Sequence, residues 1–103
     1  MTDDALILTV LRAQQGDTRA FDTLVRRFQN TAIAYARTLL PPSVAEDAAQ
    51  EAFVQAWRDL PRLTEAAAFG AWLRRIVFKY CDRARRSARP TLPLGELLPL
   101  PDD

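Results

Sequence analysis

Histidine is absent from this sequence of 103 residues, and cysteine occurs once, at Cys81. The absence of histidine disfavours imidazole-based zinc sites and acid–base catalysis by histidine. A single cysteine cannot form an internal disulfide, and as a nucleophile it would lack the histidine that usually activates it. We therefore interpret Cys81 as a small buried apolar side chain and expect no metal and no other cofactor.

Glycine is also scarce, with three residues, and the sequence has no apolar run long enough to span a membrane. Few glycines together with many alanines and leucines favour helices over sheets. Asp3 and Asp4 stand where a secretory signal would carry basic residues. We expect one all-α, soluble, cytoplasmic domain with a modest core. Because the sequence has no glycine-rich phosphate loop and no catalytic constellation, an enzyme is the least favoured class.

The net charge of +1 hides a gradient along the chain. Residues 1–57 carry five arginines and seven acids, residues 58–89 carry eight arginines, one lysine and three acids, and residues 90–103 carry three acids and no base. The net charges are therefore −2, +6 and −3. A basic segment between acidic flanks predicts one partner that carries phosphates and another that does not.

Apolar residues recur at helical spacing and predict a compact bundle of about four helices, the first short and the others antiparallel. The predicted bounds are Asp3 or Asp4 to Gln15, Asp17 to about Leu40, Ser43 to Leu60, and Thr64 or Glu65 to about Arg86, with Gly70 favouring a later start near Phe69. Gly16 is expected to end the first helix and Asp17 to cap the second. The helical domain would span residues 1–89, followed by a linker or tail, residues 90–103, that contains four prolines.

The predicted helix from Ser43 has two distinct faces. Ser43 and Glu46, three residues apart, form the pattern of a capping box at its start. The apolar face consists of Ala49, Ala52, Phe53, Ala56, Trp57 and Leu60, and the other face of Asp47, Gln50, Glu51, Val54 and Arg58. Carboxylates beside Gln50 suit a protein partner that presents arginine. Solvation alone is the simpler explanation of such a polar face.

The final predicted helix combines an inward stripe with a basic one. We expect Ala71, Trp72, Ile76 and Tyr80 to face inward, with Leu73 and Cys81 as further candidates. The basic residues of this helix are Arg74, Arg75, Lys79, Arg83 and Arg86. Only Asp82 offers a local acid after Glu65, so we expect these cations to lack ion-pair partners one turn away. This pattern favours a phosphate-binding surface over a merely solvated face.

Three blocks of sequence resemble region two of bacterial sigma factors, and most of all the extracytoplasmic-function (ECF) group. The blocks are Gly16-Asp17 with Ala20-Phe21, Leu24-Val25 and Arg27-Phe28; Asp47-Ala-Ala-Gln50-Glu51-Ala-Phe53 with Ala56-Trp57; and Phe69, Ala71-Trp72-Leu73 and Arg75-Ile76. They are similar to the opening segment, the central helix and the start of the promoter-reading helix of that group. Each block alone is a weak signal, but their order and spacing agree across about residues 6–89.

The resemblance implies that the helix from Ser43 contacts RNA polymerase. In the family, the corresponding face docks on the clamp helices of the polymerase β′ subunit. Asp47, Gln50 and Glu51 match that motif residue by residue. The further candidates, chosen only by their position on the helix, are Val54, Gln55 and Arg58.

The resemblance also implies that the Arg58–Thr64 loop and the final helix bind promoter DNA. This part of the family melts the minus-ten element and holds the non-template strand, with one base flipped out of the stack. The phosphate-binding candidates are Arg62, Arg74, Arg75, Lys79, Arg83 and Arg86. Phe78 or Tyr80 could stack on the base, and a core role is equally open for Tyr80.

The chain departs from the family's usual pattern in that helix. Lys79 occupies a position where many members have asparagine, and Asp82 falls one residue earlier than the family's aspartate. The base preference of the family therefore cannot be transferred to this chain.

The resemblance leaves several matters open. The family's second DNA-binding domain is expected after the linker, and the sequence ends first, at Asp103. We expect a chain cut at a domain boundary, with a naturally short protein as the alternative. An anti-sigma factor would be a further partner. The rival function is a helical protein–protein module that does not contact DNA, which would be favoured if the cations of the final helix paired with Asp17, Asp22 or the acidic tail.

Overall fold

The computed structural model describes residues 3–87, which form a four-helix arrangement without strands. The α-helices are α1 (Asp3–Gln14), α2 (Thr18–Arg37), α3 (Pro42–Asp59) and α4 (Phe69–Ser87). Two short 3-10 turns, Leu60–Arg62 and Ala66–Ala68, connect α3 to α4. The predicted all-α fold is confirmed, while the predicted domain boundary and the tail, residues 90–103, lie outside the described residues. No helix within residues 3–87 is long and apolar enough to cross a membrane.

The turn between α1 and α2 forms as its sequence predicts. Gly16 has a φ of +94°, which glycine adopts without strain. Its N–H donates to the Ala13 carbonyl at 2.9 Å, and the next N–H donates to the Arg12 carbonyl at 3.2 Å, the two bonds of a Schellman motif. The Asp17 carboxylate then accepts from the N–H groups of Arg19 and Ala20 at 3.0 and 3.2 Å, and so caps α2.

The turn between α2 and α3 differs from the prediction. Helix α2 ends at Arg37, three residues earlier than expected, although the buried Leu40 still donates its N–H to the Ala36 carbonyl at 2.9 Å. The predicted capping box is wrong, because α3 begins at Pro42 with no side-chain cap. Proline is well suited to the first helical position, since its φ is already helical. Ser43 therefore lies inside the helix, where its hydroxyl cannot cap it.

Five of the six buried residues of α3, which packs against α2 and α4, are alanines. The buried alanines of α3 are Ala45, Ala48, Ala49, Ala52 and Ala56. Small side chains allow neighbouring helix axes to approach closely. Larger groups fill the remaining space, above all Phe69, Leu24 and Leu60, which are fully buried. The two faces predicted for this helix are confirmed, with Trp57 half-buried at their border.

The buried stripe of α4 is displaced from the predicted one. The fully or nearly fully buried residues are Phe69, Leu73, Val77 and Cys81, each four positions after the last. Trp72, Ile76 and Tyr80 are half-buried beside this stripe. The prediction for Ala71 is wrong, because it lies two positions from Phe69 and Leu73 and is exposed.

Cys81 is buried, as the sequence predicts. Desolvation raises the pKa of its thiol, and the nearby Arg85 guanidinium opposes that effect in part. The neutral thiol is therefore favoured in the folded protein.

Candidate protein and nucleic-acid interfaces

The exposed side of α3 carries the residues expected to bind a protein. Asp47, Gln50, Glu51 and Val54 are all exposed, and Val54 retains 54% of its accessible surface. They follow the i, i+3, i+4 spacing that places side chains on one face of a helix. The face thus places one exposed apolar side chain among carboxylates and an amide.

An apolar notch borders this face, and sequence reasoning missed it. A cavity of about 310 Å³ lies between the start of α2 and the middle of α3. Its lining residues are Thr18, Phe21, Phe53, Val54 and Trp57. The rings of Phe21 and Trp57 meet at 4.9 Å between centroids. Both aromatics belong to apolar stripes in the sequence, but no local signal shows that the two stripes meet at the surface.

Gln55 does not belong to the exposed face, which corrects its assignment by position. Its Nε2 donates to the Asp59 carboxylate at 2.6 Å, and its Oε1 accepts from the Tyr80 hydroxyl at 2.8 Å. Gln55 thus joins α3 to α4. The same bond gives Tyr80 a structural role, so Phe78, with 46% of its surface exposed, is the better candidate for contact with a base.

All the DNA-binding candidates lie on α4 except Arg62, which lies in the first 3-10 turn. The exposed candidates are Arg62, Arg74, Arg75, Phe78, Lys79, Arg83 and Arg86. The Lys79 Nζ lies 5.6 Å, and the Arg83 Cζ 5.3 Å, from the centroid of the Tyr80 ring. These two cations are therefore held beside an aromatic face, where cation–π attraction orients them.

One of these cations has an acidic partner, contrary to expectation. Arg86 Nη2 lies 2.8 Å from the Asp82 carboxylate, four residues earlier on α4. The pair is largely exposed on the arginine side, so it adds little stability. Among residues 3–87, no ion pair involves Arg62, Arg74, Arg75, Lys79 or Arg83. The expectation of cations without acidic partners therefore holds for those five and is wrong for Arg86.

The acids named by the rival interpretation are engaged elsewhere. Asp17 caps α2, and Asp22 accepts from the Arg26 Nε at 2.9 Å within the same helix. Within the part of the chain that the structure describes, neither forms an ion pair with α4. Pairing of the α4 cations with Asp17 or Asp22, which would have favoured a purely protein-binding module, is thus not found.

A cleft of about 330 Å³ also opens between α2 and α4. Phe28, Tyr35, Leu73 and Val77 provide much of its apolar lining, and Arg74 is its charged residue. Between residues 3 and 87 no group of three or more Cys, Asp or Glu side chains could hold a metal ion.

The comparisons with known proteins agree with this arrangement. The model of the Sigma-70 region 2 family matches residues 24–91. The ECF RNA polymerase sigma factor SigM of Mycobacterium tuberculosis is 41% identical over 90 residues, which are 84% of this chain and 46% of that protein. The ECF RNA polymerase sigma-E factor of Escherichia coli is 38% identical over 77 residues, 75% of this chain and 39% of that protein. The chain thus spans about half the length, or less, of these relatives.

A solved structure shows the same fold. The NMR structure of an engineered region 2 of sigmaE in complex with GTAAAA superposes with a TM-score of 0.72 and 31% identity, covering 85% of this chain and 95% of that one. Sequence and fold therefore agree over most of the described residues. The chain belongs to the Sigma-70 region 2 family, within the extracytoplasmic-function sigma factors.

Proposed function

We propose that this domain binds the clamp helices of the RNA polymerase β′ subunit through α3, and that it recognises and melts the promoter minus-ten element through the first 3-10 turn and α4. The observation that carries the proposal is the set of exposed cations on α4 that have no carboxylate partner in residues 3–87, among them Arg74, Arg75 and Lys79. Lysine and arginine side chains that are not paired with carboxylates are available to bind the phosphates of a nucleic acid.

The α3 face would supply the polymerase contact. Asp47, Gln50 and Glu51 offer acceptors to an arginine-bearing helix, and charge complementarity of this kind favours fast and specific association. The apolar notch beside Val54 could take an aliphatic side chain of the partner, which would add desolvated contact area. The printed names of the relatives, as RNA polymerase sigma factors, support this assignment.

The α4 surface would bind the non-template single strand. Phosphate contacts fix a strand in place without reading its sequence, whereas base contacts specify it. Arg62 is exposed in the 3-10 turn, where its guanidinium can contact a phosphate. Phe78 is exposed on α4, where its ring can stack on an unpaired base. The complex of the engineered sigmaE region 2 with GTAAAA supports a single strand as the ligand. An anti-sigma partner and a cytoplasmic location stay predictions.

We expect the isolated chain to bind single-stranded DNA weakly and mostly through phosphates. The test is fluorescence anisotropy with a labelled oligonucleotide containing GTAAAA and with its single-base variants, at several salt concentrations. Each phosphate contact should contribute roughly −0.7 to the log–log salt slope. Arg75→Ala should therefore flatten the slope by about one contact's worth. Arg19→Ala, which removes an exposed cation from α2, is the matched control and should leave the slope unchanged.

The same titration separates the two interpretations. A slope near zero, or one that Arg75→Ala and Lys79→Ala both leave unaltered, would identify the basic stripe as a solvated face. The function would then be that of a protein-binding module.

A further inference from the structure

The turn that follows α3 depends on other parts of the molecule for its shape. Leu60–Arg62 forms a 3-10 turn, and the Leu63 N–H donates to the Leu60 carbonyl at 3.0 Å. So short a turn has few hydrogen bonds of its own, and Pro61 contributes no N–H. A segment of this kind keeps one conformation only where its neighbours hold it.

Gln14, near the end of α1, bonds to this turn at two points. Its Nε2 donates to the Leu60 carbonyl at 2.9 Å and to the Leu63 carbonyl at 2.8 Å. One amide group therefore connects the beginning of the turn to its end, across separations of 46 and 49 residues in sequence. Gln14 is itself half-buried, which shields both bonds from competing water.

A second set of hydrogen bonds ties the end of α3, just before this turn, to α4. Tyr80 on α4 bonds to Gln55, and Gln55 bonds to Asp59, the residue just before the turn. Leu60, the first residue of the turn, is fully buried. The turn is thus bonded directly to α1, and the end of α3 that leads into it is bonded to α4, while Arg62 at the end of the turn is exposed.

We infer that Gln14 is a positioning residue for base recognition, an inference that rests on the proposed function of the turn. Gln14 would not touch DNA. It would hold the turn in one conformation before the strand binds. Binding then has no entropy cost for ordering the loop. A loop with one conformation also cannot adapt to an incorrect base, so the difference in affinity between correct and incorrect bases is kept. A flipped base is read by shape and by its edge, and both need a loop with a fixed backbone.

The test compares Gln14→Ala and Gln14→Glu with Gln15→Ala, all in the 103-residue chain. Glutamate keeps the length of glutamine but replaces the donor with a carboxylate, which cannot donate to the two carbonyls. Gln15 is the exposed neighbour and serves as the control. Two quantities are measured: the hydrogen-exchange rate of the Leu63 amide, and the ratio of affinities between the tightest-binding and the weakest-binding member of a set of oligonucleotides made of GTAAAA and its single-base variants.

We expect both Gln14 variants to exchange the Leu63 amide about tenfold faster, since two bonds of ordinary strength are lost. The ratio of affinities should fall towards one, with the salt slope unchanged, and Gln15→Ala should alter neither the exchange rate nor the ratio. A loss of global stability alone would weaken binding to every oligonucleotide equally and leave the ratio intact.

Three results would overturn the inference. An unchanged exchange rate would show that Gln14 does not hold the turn, whatever the chain binds. Faster exchange with an unchanged ratio, in a chain that does discriminate, would show that the turn's shape is not what reads the base. A parent chain without any base preference would contradict the proposed function itself. The exchange experiment contains no DNA, so it still shows whether Gln14 holds the turn, and the two failures can be distinguished.

Discussion

Replacing Phe69 with alanine is expected to lower the free energy of unfolding by about 3–5 kcal/mol, the usual cost of removing a buried aromatic ring. Phe69 is fully buried at the start of α4, and its ring meets those of Phe28 at 5.3 Å and Trp72 at 5.8 Å. The cavity would lie beside the contact of α4 with α2, where a Cβ on Gly70 would be 3.4 Å from the Phe28 ring. A small domain has little more stability than this to lose.

Urea unfolding followed by far-ultraviolet circular dichroism measures this effect. Phe78→Ala is the matched control, because it removes the same ring from the same helix at an exposed position. Its cost should stay within about 1 kcal/mol, as for most surface substitutions. Equal losses in the two variants would mean that the buried and exposed sides of α4 are assigned wrongly.

The second large effect concerns the partner of α3. The double substitution Gln50→Ala with Glu51→Lys should abolish binding to a β′ clamp-helix fragment. It removes an amide and reverses a charge in the middle of the exposed face, where a like charge opposite the partner's arginines costs several kcal/mol. Both positions are exposed, so the fold should be retained. A pull-down with the fragment, together with circular dichroism of the variant, measures both outcomes.

Asp22→Lys provides the control for this experiment. It reverses a charge on α2, where the carboxylate has the exposed Arg26 as its one ion-pair partner among residues 3–87. Binding that survives in the double variant, or that is lost equally in Asp22→Lys, would remove α3 as the polymerase contact.

Local features of this fold could be predicted well from the sequence. The Schellman turn at Gly16 and the cap at Asp17 need only nearby residues, and both form as expected. The two faces of α3 follow from helical spacing alone, because Phe53 and Ala56 repeat on the side that packs. The resemblance to region two of sigma factors added the partners, which spacing cannot provide.

Other features depended on choices that the sequence leaves open. Ser43 and Pro42 are both good residues for a helix start, and the fixed φ of proline prevailed. On α4, two apolar stripes are available, and packing against α2 and α3 selected the one that contains Val77. The bonds of Gln14 to Leu60 and Leu63 join positions far apart in sequence, so no local pattern could reveal them.

If one domain carries two separate surfaces for two partners, both partners can be bound at once, and a single titration measures this. A labelled GTAAAA oligonucleotide is first saturated with the chain, and the β′ clamp-helix fragment is then added while anisotropy is followed. We expect the anisotropy to rise further as a complex of all three components forms, and not to rise with the Gln50→Ala, Glu51→Lys variant. Release of the oligonucleotide on adding the fragment would instead show that the two partners compete for one surface.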